Sequence, residues 1–198
     1  MESTFSVELE RWLGSDSPKT FGEMSDVFGE KGFAVTVLLL MSIPALPLPT
    51  GGITHVFEAI TILLGIEMVL GRKTMWLPKR LRNRELGPIV AERAMPFIIK
   101  RVRWFEKRSR RRLPNLFRGR EFTRVLGLVI IVFALAAGLA PPFSGLDTVP
   151  ALGAVLVALA IILEDAVVLA VGVVVGTAGI VLMASIGTAV VKLVSGLF

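Results

Sequence analysis

The chain has no cysteine and no tyrosine, and His55 is its one histidine. Without cysteine there is no disulfide framework and no thiolate site for a metal or for redox chemistry. One histidine leaves no obvious metal cluster. HExxH, GxSxG, Walker A and GxGxxG patterns are missing too, so the soluble-enzyme constellations they mark are absent and an enzyme is not expected. The opening residues, MESTFSVELERWLGSDS, are acidic and hold no positive start or unbroken apolar core, which argues against a cleavable signal peptide. Acids are scarce from Arg72 to Arg124, where Glu85, Glu92, Glu106 and Glu121 are the only four.

That same stretch holds 18 of the 22 lysines and arginines. The chain is 198 residues long and 54% hydrophobic, above the roughly 45–50% apolar share of ordinary soluble domains. Five apolar runs surround the basic stretch: Phe33 to Pro49, Ile53 to Leu70, Val125 to Phe143, Thr148 to Leu163 and Ala166 to Val191. Beside such runs a basic block reads as a topology signal, placing it on the cytoplasmic side of a bilayer, rather than as a nucleic-acid patch. Its Pro-broken pieces mix apolar and basic residues. Ile98, Val102 and Phe105 share one helical face, while Arg101, Arg103 and the Arg110-Arg111-Arg112 tract supply cations for anionic lipid headgroups. Trp76 and Trp104 suit the same interface.

Residues 1–31 form a polar lead in which Phe5, Leu9, Trp12 and Leu13 follow helical spacing. This helix either packs on the protein or lies at the bilayer interface. Residues 32–71 make a first membrane hairpin, 72–124 the basic insert, 125–165 a second hairpin, and 166–198 a C-terminal transmembrane helix. The two hairpins look alike. At an offset of 93, Pro49 meets Pro142, Gly52 meets Gly145 and Val56 meets Val149. Pro47, Pro49, Gly51 and Gly52 in the first turn, and Pro141, Pro142 and Gly145 in the second, break their helices. Broken helices persist in lipid only where protein or a water-filled cavity covers the backbone, so these turns are either ordinary loops or re-entrant ends that line a site. The expected fold is all-α and integral to the membrane: two related hairpin units joined by an amphipathic insert.

Polar residues inside apolar runs are the candidates for chemistry. Thr54, His55, Glu58 and Thr61 occupy one side of the second run, by i, i+3 and i+4 spacing. A His55–Glu58 pair can handle a proton or a cation, or it can sit at the aqueous rim. Glu67 lies nearer the basic end, with Arg72 in reach. Glu164-Asp165 interrupts otherwise apolar sequence, as a plain cytoplasmic turn, as a buried acidic pair partnered by arginines of the insert, or as a cation site. Gly172 and Gly176 form a GxxxG pair for close helix packing, within the chain or in a homodimer. No cofactor is implied.

The segment PALPLPTGGITHVFEAITILLGIEMVLGRKTMWLPKRL, and later PPFSGLDTVPALGAVLVALAIILEDAVVLAVGVVVG, resembles the ExoD family of bacterial exopolysaccharide-synthesis proteins over residues 21–179. The chain departs from that pattern at Glu67, where Gln is frequent, and at Glu164-Asp165-Ala166, where the family pattern is Arg-Asp-Gly. The resemblance implies a bacterial inner-membrane protein tied to polysaccharide production and no stated reaction. Taken with the turns, it leads to a small transporter or transport accessory. The alternative is a non-catalytic scaffold that holds polysaccharide-synthesis proteins together.

Overall fold

A computed structural model of the protein describes residues 4–46, 53–72, 75–76, 82–83, 85, 95–109, 114–117, 119–141 and 144–195. Among these the chain is helical and carries no strand, only an isolated bridge between Thr20 and Glu85. The helices are α1 (Phe5–Leu13), α2 (Phe21–Phe28), α3 (Glu30–Ser42), α4 (Ile53–Val69) and α5 (Met95–Glu106). They continue as α6 (Pro114–Phe117), α7 (Arg120–Gly138), α8 (Thr148–Leu163) and α9 (Ala166–Ser195).

Local chemistry sets the ends. α3 stops at Ser42, just before Pro44, which has no N–H to donate to the ladder, although Ile43 between them keeps helical angles at φ −74° and ψ −54°. α4 closes on Gly71, whose φ of 72° is left-handed, a C-terminal cap that glycine adopts without steric cost. A side chain there would also strike the Arg120 guanidinium, whose Nε lies 2.8 Å from a Cβ built at that position. α8 tolerates Pro150 because it falls in the first turn, where backbone N–H groups have no intrahelical partner. It closes on Glu164, also left-handed, at φ 52°. Asp165 then opens α9: its Oδ1 accepts the Val167 N–H at 2.9 Å, a side-chain N-cap.

The core is a bundle in which α8 packs between α9 and α3, α4 lies along α7, and α7 also meets α8. Glycines allow the closest approaches. A Cβ at Gly127 would sit 2.8 Å from the Gly65 carbonyl oxygen, and one at Gly153 would sit 2.4 Å from Gly176 Cα. Gly172 backs onto Leu156 and Val157, and Gly176 onto the Phe133 ring. The GxxxG pair is therefore filled from within the chain.

Two segments, α7 and Ala166–Thr188 of α9, are long and apolar enough to cross a membrane. Their surface pattern agrees with that. Val125, Leu128, Val132, Leu135 and Leu139 form an exposed stripe along α7, and Val167, Val171, Val174 and Val181 form one along α9. Val56, Leu63, Ile66 and Leu70 do the same around α4. Inside the bundle, by contrast, Thr54, Glu58, Thr61, Glu67, Glu164 and Asp165 are buried. Exposed apolar stripes of this kind mark surfaces that meet a partner or a membrane, and buried ionisable groups are costly without partners.

At the basic end, α1 covers α5. Met95, Ile98, Ile99 and Val102 of α5 are buried, as are Phe5, Leu9 and Trp12 of α1. The apolar face of α5 thus packs on the protein's own N-terminal helix instead of lying open to lipid. Ser6 donates its backbone N–H and its hydroxyl to the Glu106 carboxylate, and Arg103 pairs with Glu10.

Candidate functional site

Helical spacing brings Thr54, Glu58 and Thr61 to the inner face of α4, where each is at most 2% exposed. His55 stands one position aside, its side chain 41% exposed, with Nδ1 2.8 Å from Glu58 Oε2. The pair therefore connects a buried carboxylate to the surface through one imidazole. The other carboxylate oxygen, Oε1, is buried with no hydrogen-bond partner among the described residues, and so is the Thr61 hydroxyl. Desolvating such groups unpaired is costly, and each has capacity for a further hydrogen bond.

One neighbour of this site comes from the second half of the chain. Gly138, in the last turn of α7, lies against Glu58: a Cβ there would be 3.2 Å from Oε2. The turn joining α7 to α8 thus sits beside the pair. Within it Pro141 accepts the Ser144 N–H at 3.2 Å, and Gly145 is left-handed at φ 68°. Pro47, Pro49, Gly51, Gly52 and Pro142 lie outside the described residues.

The other buried acids are elsewhere. Glu67 is nine residues beyond Glu58 on α4, about 13 Å along the axis. Its Oε2 accepts the Trp76 N–H at 2.7 Å, and Oε1 lies 3.8 Å from Arg72 Nη1. Glu164 Oε1 pairs with Lys31 Nζ at 3.1 Å, while Oε2 is buried without a partner. Asp165 accepts the Ser109 hydroxyl at 2.6 Å and caps α9. These three acids anchor the basic end and do not join the Glu58 site. Arg101 is exposed on α5; Arg110, Arg111 and Arg112 lie outside the described residues.

Gly138, Lys31 and Ser109 do not stand out in the sequence.

Comparison with known proteins adds a family. The model of the exopolysaccharide synthesis family ExoD matches residues 5–185. Protein ExoD of Rhizobium meliloti (strain 1021) is 31% identical over 160 residues, which cover 77% of this chain and 64% of that protein. An uncharacterized protein of Synechocystis sp. is 27% identical over 124 residues, covering 62% of this chain and 57% of its own. The matched regions thus span less than two thirds of either relative. No solved structure matches the chain.

Proposed function

Because the chain belongs to the ExoD family, linked to exopolysaccharide synthesis, we propose that it serves that process as a small transporter or transport accessory of the bacterial inner membrane, not as an enzyme. Glu58 is the observation that carries this reading. A carboxylate 1% exposed, with one oxygen open and the other bonded to a half-exposed histidine, is a binding group with a route to the surface. In that role His55 hands a proton or a hydrated solute inward, Glu58 holds it, and the Thr61 hydroxyl supplies a second contact.

The helix pairing supports two related units. α3 packs on α8 and α4 on α7, so each helix of one hairpin meets the opposite member of the other. The left-handed caps at Gly71 and Glu164 are themselves 93 residues apart, the same offset that aligns the two Pro/Gly turns. At 13, 17 and 16 residues, α3, α4 and α8 reach about 20, 26 and 24 Å. All are short of a hydrocarbon core of about 30 Å, which favours turns that end inside the membrane. The basic segment then faces the cytoplasm by the positive-inside rule.

The test is flux in proteoliposomes loaded with a pH-sensitive dye, and separately with tracer cations and small anions. Glu58→Gln keeps the shape and removes the charge. It is expected to lower flux about tenfold or more, since a buried hydrogen bond to a charged group carries that much, with unchanged helical content. If the parent protein carries none of these species and Glu58→Gln still restores polysaccharide output in cells, the transport reading falls and a scaffold role takes its place.

A further inference from the structure

We propose that the cavity between the ends of α4 and α8 binds an amphiphile whose headgroup carries a phosphate together with hydrogen-bond donors. The cavity holds about 300 Å³ and is walled by apolar groups that include Phe33, Leu126 and Ile161. Lys31, Arg72, Thr123 and Glu164 converge on it from α3, the end of α4, α7 and the end of α8. An apolar chamber with a few convergent polar groups is the usual form of a small-ligand site. This one lies at the opposite end of α4 from Glu58, and it stands independently of the transport reading.

Charge and geometry select the ligand. Lys31 and Arg72 reach the cavity from different elements, with side chains 32% and 45% exposed. Arg72 lies 3.8 Å from Glu67, too far for a hydrogen bond. The Arg120 guanidinium covers the neighbouring Gly71. Arg72, Lys31 (held by Glu164 at 3.1 Å) and the Thr123 hydroxyl (3.3 Å from the Gly119 carbonyl oxygen) share the lining, and on turning to a ligand they suit phosphate oxygens, to which charge-assisted hydrogen bonds are strong. A bare anion would leave the aromatic and aliphatic wall unused, whereas an acyl or prenyl chain covers it. Glu164, in the same lining, pairs through Oε1 with Lys31. Its Oε2 is buried with no hydrogen-bond partner among the described residues, so a headgroup that brings a donor suits it better than a purely anionic one. It accepts from a hydroxyl or an ammonium, which favours glycerol or ethanolamine headgroups over choline.

Binding can be read from tryptophan fluorescence, because Trp76 sits over the Arg72 guanidinium at 6.0 Å. Purified protein in detergent is titrated with short-chain phosphatidylglycerol, short-chain phosphatidylcholine and inorganic phosphate, with native mass spectrometry counting retained lipid. Phosphatidylglycerol is expected to saturate at one molecule, with a Kd about tenfold below that of the choline lipid. Lys31→Gln and Arg72→Gln should each raise that Kd by a similar factor, while Arg11→Gln, at an exposed position of α1, leaves it unchanged. Thr123→Val supplies an independent variant should either charge removal disturb folding. Equal binding of both lipids, or parent-like binding by Lys31→Gln, Arg72→Gln and Thr123→Val alike, overturns the proposal. Inorganic phosphate binding as tightly as the lipid assigns the site to the free anion and overturns the amphiphile.

Discussion

The residues that matter most are those whose conformation or burial no neighbour in sequence would require. Gly71 is one. Its left-handed φ of 72° closes α4, and the Arg120 side chain fills the space a Cβ would need. Gly71→Ala is expected to destabilise the fold by about 1–2 kcal/mol from the left-handed strain, with a further loss if Arg120 cannot move aside. Thermal unfolding in detergent checks this, and an unchanged midpoint would contradict the geometry. Glu164 holds the matching position at the end of α8 with an ordinary side chain. That strain is offset in part by the Lys31 ion pair, so Glu164 both ends a helix and ties α8 to α3. Glu58 differs from these anchors: His55 occupies only one of its oxygens.

Among elements, the α8–α9 and α4–α7 pairs have the closest backbones. Where lipid surrounds the bundle there is little hydrophobic drive between helices, and close packing of small residues takes over. Gly176 faces the Phe133 ring, whose Cζ would lie 2.3 Å from an added Cβ, while Gly187 has nothing within 4 Å. Gly176→Val should therefore cost about 1–3 kcal/mol by overpacking, and Gly187→Val should be close to neutral. Equal melting points for the two variants would place the weight of the packing elsewhere. The helices themselves were legible in the amino-acid order, since four apolar runs became α4, α7, α8 and α9 and Pro44 ends α3 near where its ring demands. The facing of Thr54, Glu58 and Thr61 was legible for the same local reason, a spacing of three and four. What covers that face was not. Gly138 arrives from 80 residues away, and only tertiary packing brings it there. The cover of α1 over α5 is equally non-local: amphipathic spacing shows that a face must be buried but not against what.

For the whole molecule, orientation is the open quantity, and the missing cysteine makes it accessible. Any single introduced thiol is the only one in the chain. Under the proposed topology Arg101→Cys, at an exposed position of α5, should resist an impermeant maleimide in intact cells and react once the membrane is opened. Ser144→Cys, in the turn beside the Glu58 site, should react from outside. The reverse pattern would invert the protein in the bilayer. Within that topology the unequal helices have a mechanical effect. α9 runs for 30 residues, about 45 Å, while α8 beside it covers about 24 Å. Val181, Leu182 and Ile186 near its far end are exposed. Lipids that match one side of this protein cannot match the other, so the bilayer must tilt α9 or thin beside the shorter helices. Thinned lipid next to the α7–α8 turn shortens the distance from water to Glu58, and the protein then shapes its membrane into a wedge whose thin edge lies over the polar pair.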